Sequence, residues 1–165
     1  MHCARSLILH EMQRHDGMTP VQWLDEVGAL DERSIIGHDI FLDHHPWVHW
    51  LTRKDLVLLA DKSAIVAHCP TVFGKRAINL RSFGEYKRNG INLGIGADKY
   101  PHNFIEEMRN VVYLSPVAAA GLADKFATDL FEAATIGGSK ALLRDYIDRL
   151  SVGAKSDNVL VDVSD

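Results

Sequence analysis

Cysteine is scarce in this chain: Cys3 and Cys69 are the two among 165 residues. Two cysteines exclude a disulfide framework, and no Cys-x-x-Cys metal knuckle occurs. No run approaches the roughly 18 apolar residues that a membrane-crossing helix needs. Basic residues are also in short supply. Eighteen Lys and Arg face 22 Asp and Glu, for a net charge of -4 and a pI near 6.1, which argues against nucleic acid as a partner. Low-complexity tracts, long linkers and sequence repeats are absent. With reduced cysteines and no signal segment, the chain reads as cytoplasmic, binding neither membrane nor nucleic acid. A small neutral or cationic ligand is the partner its charge accepts most easily.

What is present is globular: 47% hydrophobic and 24% charged residues, enough for one domain of ordinary size. Four hydrophobic runs stop on a metal-binding or acid–base side chain, at His2, His38, His68 and Asp98, in steps of 36, 30 and 30 residues. One strand, one helix and two short loops take about 30 residues or slightly more, so each step is one βα unit. Parallel strands joined this way end on one rim. Three histidines and an aspartate, far apart in sequence, are therefore expected to converge in space. Cys3 and Cys69 each follow a strand-end histidine, and alternation along a strand points them away from it, which reads as buried small hydrophobes.

The helices are legible from caps and periodicity. Thr19-Pro20-Val21-Gln22 is a capping box with proline at the first helical position, and Trp23, Leu24, Val27 and Leu30 follow at helical spacing, predicting a helix over about 20–29. Leu7 to Arg14 reads as helix ended by Gly17. Thr52-Arg53-Lys54-Asp55 repeats the capping pattern before Leu56 to Ala60. Ile78 to Arg88 predicts a helix terminated by Gly90, and three further helices follow: one through Ile105, Met108, Val111 and Val112, then Ala127 to Thr135 and Ser139 to Leu143. Strands are expected at Ser34–Phe41, Ala64–Ala67, Ile91–Ile95 and, by alternation, Val159–Val163. Two-face-buried strands alternating with helices mean a parallel α/β architecture. Four units cannot close an eight-stranded barrel, and the strand-like end directly after Met1 reads as a chain opened in the middle of a larger fold.

Thr19-Pro20-Val21-Gln22-Trp23-Leu24 through Gly28-Ala29-Leu30, then Gly37-His38, Ala67-His68-Cys69-Pro70, Gly94-Ile95-Gly96-Ala97-Asp98, Glu106-Glu107-Met108-Arg109 and Gly153-Ala154-Lys155-Ser156-Asp157 occur in that order. The ordered set resembles the C-terminal half of the amidohydrolase superfamily, in its branch of cytosine and guanine deaminases and triazine chlorohydrolases and aminohydrolases. The resemblance implies strands five to eight of a TIM-type (β/α)8 barrel over residues 1–147, with 148–165 opening a small β domain. It implies one divalent metal, zinc before iron, held by His2 and Asp98. His38 is similar to the histidine that contacts substrate or metal-activated water, and Asp98 to the strand-end carboxylate that moves the proton. His68, Tyr100 and His102 fall where substrate-contacting groups sit. The implied reaction is hydrolytic substitution on a nitrogen heterocycle, expelling ammonia, an amine or a halide.

Two departures from the family pattern matter. No His-x-His pair is present, so with only His2 and Asp98 from the ligand set, metal affinity is expected to be poor and this chain alone inactive. Arg5 occupies the position where the family places a proton-shuttling glutamate, and arginine stays protonated throughout the accessible pH range. Plainer roles stand beside the chemical ones. Asp98 at a strand end can cap the next helix, His38 and His68 can be buried structural histidines, His102 can cap a helix, and His44-His45-Pro46-Trp47-Val48-His49-Trp50 can be a tryptophan-anchored loop or an aromatic pocket. Glu106 and Glu107 read as a helix start complementing the macrodipole. The rival to an amidohydrolase fragment is a non-catalytic half barrel or α/β module that forms homo-oligomers through exposed sheet edges.

Overall fold

The computed structural model of the chain describes residues 5–48, 50, 52–78, 83–120, 127–155 and 158–164. Helices α1 (Arg5–Arg14) and α2 (Pro20–Glu26) lead into strand β1 (Ile35–Gly37). Helix α3 (Asp55–Asp61) connects it to β2 (Ile65–His68), and the short α4 (Pro70–Gly74) and α5 (Phe83–Arg88) lead to β3 (Asn92–Ile95). The long α6 (Phe104–Ala119), α7 (Ala127–Ala134) and α8 (Ile136–Ala141) follow. The three strands form one parallel sheet in the order β1-β2-β3, with Ile36 opposite Val66 and Val66 opposite Leu93. These residues are buried, as expected of strands covered on both faces.

Local chemistry explains the elements. Thr19 caps α2: its hydroxyl accepts from Gln22 N at 3.2 Å while the Gln22 side chain accepts from Thr19 N at 3.4 Å. Gly90, at φ 77°, turns the chain from α5 into β3 in a conformation that favours glycine. At Gly137 a side chain is impossible for another reason, since a Cβ would collide with the carbonyl of Leu93. Helix α8 therefore lies directly on the backbone of β3, and Asn92 Nδ2 donates to Gly137 O at 3.2 Å.

Several expectations need correction. The pattern at Thr52 is not a capping box: the cap of α3 is Lys54, without a side-chain bond, and Thr52 instead donates to Asp43 Oδ2 at 2.8 Å. A buried acceptor elsewhere in the fold outcompetes the local one. Ile78 lies outside any helix, and the described helix of that region begins at Phe83. Val159–Val163 is not a strand but exposed, irregular chain, because among the described residues no neighbouring strand offers its backbone groups a partner. The strand expected to end on His2 lies outside the described residues. No helix among the described residues is long and apolar enough to cross a membrane.

Candidate active site at the C-terminal rim of the sheet

Beyond the last residue of each strand the ladder continues for one more bond. His38 N donates to Ala67 O and Gly96 N to His68 O, both at 2.9 Å. These bonds bring the ends of β1, β2 and β3 to one level, and there His38 Nε2 meets Asp98 Oδ2 at 3.2 Å. The two residues are 60 positions apart in sequence and come from the outer strands of the sheet. His38 is buried, with its ring edge-on to Phe73 at 4.6 Å, whereas Asp98 is 41% exposed. The pair thus joins a fixed imidazole to a carboxylate open to a ligand.

The backbone around the pair is strained. His38 (φ 66°), Asp39 (φ 47°) and Asp98 (φ 44°) all adopt the left-handed region, which costs a side-chain-bearing residue about 1–2 kcal/mol each. Strain of this kind gathers where side-chain aim matters. At Asp39 it is held by a bond from Asp39 N to Gly37 O at 2.8 Å and by Tyr86, whose hydroxyl donates to Asp39 O at 2.7 Å.

His68 stands at the end of the middle strand, buried, its ring 6.1 Å from that of Phe83. Burial, and secondarily the nearby His38, push its pKa down to about 3. It is a neutral imidazole at any ordinary pH and supplies polarity rather than charge. Cys69 is buried beside it. Burial first, then the carboxylates of Asp98 and Glu107, push its thiol up to about 12, so it is an inert thiol. Tyr100 is 90% exposed and pairs edge-to-face with His102 at 6.3 Å on the loop after Asp98. The cap of α6 is Asn103, accepting from Glu106 N at 3.0 Å, so His102 does not cap it.

The loop after β1 carries polar structure that sequence patterns did not reveal. Asp43 and Asp55 are both fully buried. Asp43 Oδ2 accepts from Thr52 Oγ1 at 2.8 Å and Lys54 N at 2.7 Å, and its Oδ1 faces His44 Nδ1 at 3.3 Å. Asp55 Oδ1 accepts from Thr19 Oγ1 and Gln22 Nε2 at 2.7 and 2.8 Å, while Oδ2 accepts from Asp43 N at 2.8 Å. Burial alone would raise Asp43, yet bonds from His44, Thr52 and the backbone of Lys54 and Asp55 hold it below the usual carboxylate range. Asp55 is raised to about 6, chiefly by burial, with the Asp43 charge adding to it. Asp39 is raised to about 8, by burial first and then by Asp55. Phe41, His45 and Trp47 pack on one another in this loop, with Phe41 and His45 buried and Trp47 42% exposed. Asp43 lies in the loop and Asp55 opens α3, and the sequence pattern at Asp55 pointed to a helix cap rather than to a buried network.

Metal chemistry fits this site in part. Asp98 offers a hard oxygen ligand beside an imidazole, but among the described residues no three His, Cys, Asp or Glu side chains gather to hold an ion. His2 lies outside the described residues. A concavity of about 550 Å³ at the opposite end of the sheet, beside Ile65 and Asn92, contains none of the expected site residues.

Residues 1–165 match the family model described as amidohydrolase family. The chain is 32% identical over 151 residues to 5-methylthioadenosine/S-adenosylhomocysteine deaminase of Natronomonas pharaonis, covering 89% of this chain and 33% of that protein. To 5'-deoxyadenosine deaminase of Methanothermobacter thermautotrophicus it is 30% identical, over 80% of this chain and 30% of the relative. An adenosine deaminase from Xanthomonas campestris, solved with bound zinc, superposes with a TM-score of 0.76 at 26% identity, over 91% of this chain and 33% of that one. Atrazine chlorohydrolase from Arthrobacter aurescens, complexed with zinc, shares the fold with a TM-score of 0.66 at 21% identity, over 89% and 32%. The chain spans about a third of the length of the relatives it matches. With the match running from the first residue to the last, the chain belongs to the amidohydrolase family.

Proposed function

We propose that this chain carries the strand-five to strand-eight half of a metal-dependent deaminase barrel over residues 1–147, with 148–165 leading out of it. On this reading it takes part in removing the amino group of a nitrogen heterocycle, an aminopurine nucleoside in the first instance. The observation that carries the reading is the His38–Asp98 contact at 3.2 Å on the sheet rim. The relatives at 30% identity or more quoted above are named deaminases of adenosine derivatives, which favours ammonia over halide as the leaving group.

Asp98 accepts a proton from water as the oxygen–carbon bond forms at the ring. His38, held by Asp98 and buried against Phe73, is placed to protonate the ring or the departing nitrogen. The carbon–nitrogen bond then breaks, ammonia leaves, and the proton first taken from water passes from Asp98 to His38 to restore the pair. His68 stays neutral at the end of the middle strand and contacts substrate as a polar, uncharged group, and Tyr100 and His102 on the exposed loop meet the outer side of the ring. Zinc is the preferred ion and iron the second choice. Asp98 and His2 would hold it with ligands from the rest of the barrel, and its chemistry when bound is to acidify water. Since Arg5 cannot shuttle protons, the Asp98–His38 pair is assigned that work.

The test is ammonia release from adenosine and 5-methylthioadenosine by the zinc-loaded full-length protein. Asp98→Ala and His38→Ala should each lower kcat by about 10²-fold or more, and this chain alone should be inactive. Undiminished turnover in Asp98→Ala overturns the reading. One observation favours a second reading: among the described residues β1 and β3 pair on one side only, leaving sheet edges that invite self-association of a non-catalytic module. Light scattering of the isolated chain decides it, a clean monomer arguing against edge pairing.

A further inference from the structure

Helix α6 carries a carboxylate that the proton path above does not use. Glu107 is completely buried, although its neighbour Glu106 and the helix start would be served equally well by an exposed residue. Burying a carboxylate costs far more than burying an amide or an alkyl group, so a glutamate in this place needs a reason. Its two oxygens reach the chain after the middle strand and the chain after β3. Oε2 accepts from Thr71 N at 3.0 Å, in the turn that follows His68, and Oε1 faces Lys99 Nζ at 3.7 Å, directly after Asp98. Lys99 is itself only 11% exposed and is held a second time by Glu106 at 3.5 Å. One turn further along α6, Asn110 Nδ2 donates to Thr71 Oγ1 at 2.7 Å, a tie to the same turn that leaves Lys99 untouched.

Packing in between is tight. The Cys69 sulfur lies 3.1 Å from where a Cβ on Gly96 would stand, so the chain after β2 packs closely on the chain after β3. After burial, the charges of Asp98 and Glu107 both raise the thiol of Cys69. A left-handed Asp98 (φ 44°) tends to relax unless its flanks are held, and Lys99 is the flank that Glu107 holds.

We propose that Glu107 is a positioning residue: from inside the fold it anchors Lys99 and the turn after β2, and so keeps Asp98 in reach of His38. The inference rests on the reading of Asp98 and His38 as the working pair, but its test does not depend on turnover or metal. His38 Nε2 meets Asp98 Oδ2 at 3.2 Å, so the ring nitrogens of His38 report on that contact. In the folded chain at fixed pH, with histidines labelled in the ring, Glu107→Gln and Lys99→Met should each move the His38 nitrogen resonances away from their native positions. Asn110→Ala should lower the melting temperature and leave those resonances in place. If Glu107→Gln fails to fold, Lys99→Met alone decides. His38 resonances unmoved in the folded variants, as in Asn110→Ala, would overturn the proposal. Failure of the deaminase assay would leave this result standing.

Discussion

The two loops that border the site are built on opposite plans. The loop after β1 is anchored by two buried carboxylates, Asp43 and Asp55, whose oxygens are bonded to α2, to the start of α3 and to the loop itself. The loop after β3 presents Tyr100 almost entirely to solvent, and its Lys99 reaches Glu106 and Glu107 at 3.5 and 3.7 Å. A rim with one preformed side and one open side can hold the imidazole still while leaving the carboxylate accessible, and the exposures of His38 and Asp98 divide in the same way. The contrast also separates where stability resides from where specificity is free to vary.

The contrast breaks most severely at Asp43. Asp43→Ala leaves buried donors from Lys54 and Thr52 without an acceptor, and should cost about 3–5 kcal/mol in urea unfolding near neutral pH. The folded carboxyl lies below its unfolded value, so this contribution is present above about pH 4 and lost as acid protonates it. His68 offers the next largest effect. Its folded pKa of about 3 lies below the unfolded 6.5, so stability is intact above pH 6.5 and falls by up to about 1.4 kcal/mol per pH unit toward pH 3. His68→Phe should remove that acid slope, measurable as melting temperature against pH.

Asp39 works in the opposite direction. A folded pKa near 8 against 3.8 unfolded means that its contribution is present below pH 3.8 and declines as pH rises to 8. Asp39→Asn should therefore stabilise the protein at pH 7–8 and change little at pH 4. An equal effect at both pH values would show that the carboxyl is not held protonated. The smallest effect belongs to the open loop: Tyr100→Ala and His102→Ala should stay within about 0.5 kcal/mol of the parent in stability. A large loss at Tyr100 would mean that this side of the rim is as preformed as the other.

Much of the scaffold was legible because its signals are local. The capping box at Thr19, the glycine after α5 and the apolar runs before His38, His68 and Asp98 each act within a few residues, and the parallel βα rule carries the strand ends to one rim. The reading failed where a distant partner outcompeted a near one. Thr52 gave its hydroxyl to Asp43 rather than to α3, and Val159–Val163 alternates like a strand without a neighbour to pair with among the described residues. Glu107 was read as a helix-start acid, and nothing local distinguishes it from Glu106. Its burial depends on the turn after β2 lying against α6.

The sequence by itself determined the order of strands and helices, the side chains at the strand ends and the family they belong to, because spacing and motif order are properties of the chain alone. Only the tertiary structure decided which polar groups are buried, which histidine stays neutral and which carboxylate remains open. Desolvation and hydrogen bonding depend on what packs against a residue, and at this rim the packing comes from segments 30 to 60 positions away.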